Sequence, residues 1–227
     1  MGTSKGYIAP TRQEWSRAKL AVTSMINDTS SNSISKAVSS FSTAMKSEGM
    51  ISNSFTKAAT GILGLSKSIN SHGIVHALTT YGFENLIGKS NEEIYLGILN
   101  YYTNSGSSIE DSIAIDSLSL ALKNLNILDL DSLGAISSEI LLKEMLITYI
   151  ELHFEQKFTE KIGKGKSPAQ ADRIITEVKG YIRATLYETL DLQNILEINF
   201  ENLANEQYVI RTCRDAFTVF ENFYEEL

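Results

Sequence analysis

Apolar residues recur every three to four positions along nearly the whole chain, and polar or glycine-containing breaks cut that pattern into helical segments. The first predicted helix covers residues 12–26, with Trp15, Ala18, Val22, Met25 and Ile26 on one face. Pro10 disfavours a helical conformation at Ala9, and Thr11 with Glu14 has the form of a capping box. A polar break at residues 28–33 precedes a second helix, 33–47, with Ile34, Val38, Phe41 and Met45 on its stripe and Gly49 placed to stop it. A third helix starts near Asn53 and runs into the small-residue stretch 61–73, which suits close helix packing; Gly73 separates it from a short helix over 74–81. Ser90 and Glu93 form a capping box in front of a helix over 91–102. Ser108 caps a helix reaching about Leu125, with Ile109, Ile113, Asp116 and Leu120 along it, and residues 126–134 read as a loop.

From Ser138 a long helix reaches about Ile162. Its stretch 140–154 is apolar on nearly every side, which predicts a buried helix at the axis of the fold. Ser167, Pro168 and Gln170 form the start of the next helix, whose stripe is Ile174, Val178, Tyr181, Ile182, Leu186 and Leu190. Residues 191–200 fit either a short helix or an extended strip, and a last helix covers about 205–226. The pattern therefore predicts an all-α fold: a multi-helix bundle around a buried central helix, with a flexible N-terminal tail. It divides as a tail at 1–10, an N-terminal helical arm at 11–50, whose first helix is read as semi-detached, and a helical core domain at 51–227.

Composition adds limits. No apolar run approaches the roughly 18 residues that span a bilayer, and no apolar stretch follows Lys5 as a secretory signal would require. The single cysteine, Cys213, fits a reducing, cytoplasmic setting and falls on an apolar face. Residues 1–90 carry nine Lys/Arg against four Asp/Glu, whereas residues 91–227 carry eleven against twenty-three. No arginine cluster marks a direct nucleic-acid surface. His72 and His76 are four apart, but Gly73 intervenes and no acidic or cysteine partner is near, so no metal site is expected. Residues 82–90 imitate a phosphate loop, with five residues between Gly82 and Gly88 where that loop has four, and with no preceding strand. His153 lies between Glu151 and Glu155, neither of which faces it on a helix. No complete catalytic set emerges and no cofactor is expected.

The first ten residues have no helical or strand period. Two places in the chain are distinctive together: the opening Met1-Gly2-Thr3-Ser4 with its Gly- and Tyr-containing tail, and residues 77–94 continuing through the Ser-Gly-Ser-Ser-Ile-Glu-Asp turn at 105–111. The combination resembles the QatB family, a component of the four-gene Qat antiphage system of bacteria, over the tail and roughly residues 55–125. The tail departs from that family in lacking consecutive glycines and a second proline. The resemblance implies a non-enzymatic protein that is acted upon. Its partner would be a QueC-like (QatC-like) enzyme that activates a 7-deazaguanine carboxylate with ATP, and the acceptor would be the N-terminal amine of Gly2. Thr3, Ser4, Lys5, Gly6 and Tyr7 would lie against that enzyme, and the ATPase and TatD-like nuclease of the same system are further partners it implies.

Elementary chemistry agrees with Gly2. An α-amine has a pKa of about 8 against about 10.4 for lysine, so more of it is neutral and nucleophilic near pH 7. N-myristoylation also uses Gly2 but wants Ser or Thr at position six, where this chain has Gly6. Trp15 admits two roles, packing on the chain's own core or docking on a partner as a helix-in-groove anchor; it is counted among the partner contacts. Two other readings compete: a helical accessory binding nucleic acid through Lys164, Lys166 and the basic front half, and a membrane-active protein built on residues 55–71.

Overall fold

The computed structural model describes residues 12–49, 51–102, 108–192, 194–200 and 205–225, with side chains to Glu221. Among these residues there are ten α-helices and no strand. They are α1 (Gln13–Asn27), α2 (Ser31–Glu48), α3 (Asn53–His72), α4 (Ile74–Thr80), α5 (Asn91–Tyr102), α6 (Ile109–Asn124), α7 (Leu130–Ala135), α8 (Ser138–Gly163), α9 (Pro168–Thr189) and α10 (Glu206–Glu225). Single 3₁₀ turns lie at Glu84–Leu86 and Ile195–Glu197.

The chain's many serines explain the helix starts. Ser30, Ser52, Ser108, Ser137 and Ser167 each stand at an N-cap, with the side-chain oxygen accepting from the N–H three residues on. Ser108 with Asp111 and Ser167 with Gln170 complete reciprocal capping boxes. Gly49 ends α2 in the left-handed region at φ 68°, and its N–H closes on Lys46 O at 3.1 Å.

Helix α8 is the axis. It packs on α1, α3, α6 and α9, and Leu141, Leu142, Met145, Leu146, Ile147 and Ile150 are all fully buried. Thr148 Oγ1 donates to Ser117 O at 2.9 Å, which ties α8 to α6. Helix α3 packs on α4, α5, α6, α7, α8 and α10, and its glycines permit the close approaches. A Cβ at Gly61 would collide with the Tyr102 ring; one at Gly64 would collide with the Tyr81 hydroxyl and sit 2.6 Å from Phe200 O.

Helices α1 and α2 are packed on the body. Trp15, Phe41, Phe154, Phe158 and Phe217, from α1, α2, α8 and α10, form one aromatic cluster with the Phe41 and Phe154 rings 5.3 Å apart. These residues belong to a single contiguous core that includes every other helix. The polar break at 28–33 is thus a tight connection between two docked helices, and the 11–50 arm is not held apart from the rest.

Other local expectations change as well. α1 begins one residue later than a Thr11 cap requires, with Arg12 at the N-cap and no side-chain cap bond; Thr11 itself lies outside the described residues. Residues 130–135 form α7 where a loop was expected, because Asp129 caps it and Leu130 and Leu133 are buried. In α6 the buried face is Ile113, Ala114, Ser117, Leu118, Ala121 and Leu122, while Ile109 is exposed. Residues 191–192 and 194–200 are neither strand nor a full helix: Leu192, Ile195 and Phe200 are buried around one 3₁₀ turn.

Candidate functional site

Gly2, the expected modification position, and Thr3, Ser4, Lys5, Gly6 and Tyr7, the expected partner contacts, lie outside the described residues. The structure does show what holds the first turn behind them. The Arg12 guanidinium donates to Ser47 O in the last turn of α2. Trp15 is 1% exposed, edge-on to Phe41 at 6.3 Å and tilted against Phe158. Lys157 Nζ sits over the indole face, 5.2 Å from its centroid. This corrects the expectation for Trp15. Its ring is enclosed by the chain's own aromatics, and a partner could reach it only by unpacking α1.

A buried ionic network joins α8 to α9, and the sequence reading missed it. Glu144 is 1% exposed and Glu151 4%. Arg183 Nη1 donates to both carboxylate oxygens of Glu144 at 2.8 Å, while its Nε stands 3.2 Å from Glu151 Oε1. Tyr187 Oη and Asn124 Nδ2 also donate to Glu144, at 2.7 and 2.8 Å. Burial pushes the Glu151 carboxyl above its usual range, with Arg183 opposing that shift. The available signal was a polar stripe at Glu144, Thr148 and Glu151, spaced i, i+4, i+7 inside the stretch read as apolar all round.

The other candidate side chains are far apart in character. Burial holds the Cys213 thiol up at about 12, so it stays protonated near neutral pH. His72 and His76 are exposed, with ring centroids 4.9 Å apart, and no group of three or more metal-ligating side chains occurs among the described residues. His153 is 1% exposed, and neither ring nitrogen has a hydrogen-bond partner among the described residues. Burial first, then the Lys157 charge, lowers its pKa to about 3.

Grooves open along the helix seams of the described residues, two of them beside candidate side chains. One, of about 490 Å³, lies between the end of α2 and α10, with Met45, Ile51, Ile210 and Phe217 as its apolar lining and Arg214 and Lys46 beside them. Lys46 is tied across it to Glu221 at 2.6 Å. The other, of about 230 Å³, lies between α6 and α8 over His153. No helix among the described residues is long and apolar enough to cross a membrane.

The described residues thus define an all-α bundle that pins the base of an N-terminal segment into its own core and opens grooves along its helix seams. The chain belongs to the QatB family: the family described as "Qat anti-phage system associated protein QatB" matches residues 50–220, about three quarters of its length. The protein is therefore a component of an anti-phage system. The match extends the resemblance through the C-terminal helices, which the sequence reading recognised only as helical, and it begins after α1 and α2. No curated protein and no solved structure matches the chain.

Proposed function

We propose that this protein is the acceptor and scaffold of its anti-phage system, a non-enzymatic helical body that offers the amine of Gly2 to a QueC-like partner enzyme in the cytoplasm. The observation that carries the reading is the anchorage at Arg12 and Trp15, which fixes the base of the N-terminal segment to the bundle. Residues 2–11 ahead of that anchor span up to roughly 35 Å when extended, enough to enter a partner's pocket while the body docks outside it.

The chemistry is an acyl transfer. The partner activates a 7-deazaguanine carboxylate with ATP. The lone pair of the neutral Gly2 amine attacks the activated carboxyl carbon, an amide C–N bond forms, the ATP-derived group leaves, and the amine proton passes to solvent. Removal of Met1 exposes the amine, whose pKa of about 8 leaves a useful fraction neutral at pH 7. Gly2, Thr3 and Ser4 are small enough for a narrow entrance. The system's ATPase and TatD-like nuclease would then act on, or through, the modified protein.

Intact mass measured with and without the partner genes tests this. A nucleobase-sized gain confined to the N-terminal peptide, present only with the partner and absent from a Gly2→Pro variant, is the expected result. An unchanged mass under both conditions would leave a helical binding protein without this modification.

A further inference from the structure

We propose that the groove between the end of α2 and α10 is the docking site for this chain's own N-terminal segment, with Tyr7 and Ile8 as its occupants. Where that segment starts carries the argument. Arg12 is extended, at φ −71° and ψ 143°, and its guanidinium donates to Ser47 O. Lys46 and Gly49, the residues one before and two after Ser47, line the groove. The chain ahead of Arg12 therefore sets out from beside the groove. Tyr7 and Ile8 lie five and four residues ahead of Arg12, up to about 17 Å when extended, and Pro10 favours an extended Ala9. A tether this short holds its ligand at a roughly millimolar effective concentration, so docking too weak for a separate molecule still fills the site.

The groove's chemistry selects those two residues. Met45 and Phe217, both buried, are its floor, and the half-buried Ile51 and Ile210 are the walls that an occupant can touch. Lys46 is held by Glu221 at 2.6 Å and Thr218 at 3.1 Å, so its charge is already met. Arg214 is exposed and stands on the α10 side. Aliphatic walls beside a guanidinium suit an aromatic ring next to an aliphatic side chain. Ile8 covers the walls, while the Tyr7 ring takes Arg214 on its face and keeps its hydroxyl in water. Residues 1–11 offer one such pair. Lys5, two residues beyond Tyr7, is opposed by the Arg214 charge, which keeps the segment from seating deeper and leaves Gly2 outside the groove. At about 490 Å³ the groove falls within the range of small-ligand pockets, about 300–1,000 Å³, room for two side chains. This proposal does not depend on Gly2 being modified. Where Gly2 is the acceptor, docking stows it against the body, and the partner must draw the segment out before transfer.

Trypsin cleavage after Lys5 in the full chain tests this, read by mass and normalised for each sequence to a synthetic peptide of its own residues 1–11. The chain should be cut about tenfold more slowly than its peptide, the protection given by a Kd near a tenth of the effective concentration. Tyr7→Ser/Ile8→Ser, which touches no helix of the body, should restore the peptide's rate. Ile210→Ser leaves the segment's own sequence intact and should restore it too, with the helical circular dichroism unchanged. The Ile51 and Ile210 methyl signals in ¹³C NMR should move in the Tyr7→Ser/Ile8→Ser chain. Equal rates in chain and peptide, methyls that ignore the tail variant, or protection that survives Ile210→Ser would overturn the proposal. Protection lost on dilution would assign the groove to a second copy's segment, and methyls that move only when the partner enzyme is added would assign it to that enzyme. Either result also overturns it. The mass test of Gly2 is independent: either reading can fail without moving the other's measurement.

Discussion

Arg183 places one nitrogen, Nη1, 2.8 Å from both carboxylate oxygens of Glu144, and Glu144 is among the most enclosed charged side chains of the bundle. One guanidinium thereby serves two buried carboxylates, because its other nitrogens face Glu151. Removing the cation strands both acids. Arg183→Met should cost about 3 kcal/mol, at the lower end of the range for breaking a buried pair because a third of the Arg183 side chain meets solvent. Urea unfolding of the two proteins reads this directly. Replacing Glu144 by Gln in the Arg183→Met background should recover part of the loss.

Glu151 and His153 bend the pH dependence of stability in opposite senses. The folded-state carboxyl of Glu151 titrates above its usual 4.5, so just above that value the native state keeps a proton that the unfolded chain has released. Its contribution is present at lower pH and is lost as pH rises through the raised value. The folded-state His153 titrates at about 3 against 6.5. Here the unfolded chain gains the proton first, and stability falls as pH drops from 6.5 towards 3, by at most about 1.4 kcal/mol per unit. His153→Phe should remove that acid-side slope and be neutral or stabilising at pH 7, because it deletes two unmet polar atoms. Glu151→Gln should gain relative to the parent as pH is raised from 4.5 to 7. Thermal melts of three proteins at four pH values decide both.

How much could be read from the chain alone follows from how local each signal is. The start of α9 was legible because Ser167, Pro168 and Gln170 state it within four residues, and the end of α2 because glycine takes the left-handed position at Gly49 without a steric penalty. The axial role of α8 was legible from its density of apolar residues. The Glu144–Arg183 pairing was not, since each helix shows its own polar residues but not which helix they meet across 39 positions. Helix α7 escaped because a six-residue helix has too few turns to show a period and is held by burial of Leu130 and Leu133. The register of α6 was misjudged because its buried face includes Ser117, whose carbonyl is claimed by Thr148. The candidate at Gly2 came from residues outside both the described structure and the matched range, so it rests on resemblance and amine chemistry.

Two glycine substitutions should move stability in opposite directions for stated steric reasons. At Gly64 a Cβ meets Phe200 O at 2.6 Å, a backbone atom that cannot swing aside, as well as the Tyr81 hydroxyl. Gly64→Ala should destabilise by about 2 kcal/mol, the overpacking cost exceeding the helix-propensity gain. At Gly180, on the exposed face of α9, a Cβ meets nothing within 4 Å. Gly180→Ala should stabilise by about 0.5–1 kcal/mol, through propensity and a less flexible unfolded chain. Midpoints of chemical denaturation measured at constant slope separate the two.

Trp15 is the chain's only tryptophan, so its fluorescence isolates the docking of α1. Its ring lies among Phe41 and Phe158 with Lys157 across its face, while its indole Nε1 has no hydrogen-bond partner among the described residues. The emission should be blue-shifted in the native state. During urea unfolding it should change together with the helical circular dichroism signal, because α1 shares its core with α8 and α2. An earlier fluorescence transition would mean that α1 detaches before the body unfolds. Trp15→Ala should cost about 3–5 kcal/mol, and Trp15→Phe clearly less, since phenylalanine keeps the aromatic contacts and removes the unmet N–H. If the anchored base of the N-terminal segment is what presents Gly2, conjugation should survive in Trp15→Phe. It should slow in Trp15→Ala at temperatures where the remaining helices are still folded by circular dichroism. Equal conjugation rates in all three proteins would separate the tail's chemistry from the body's anchorage.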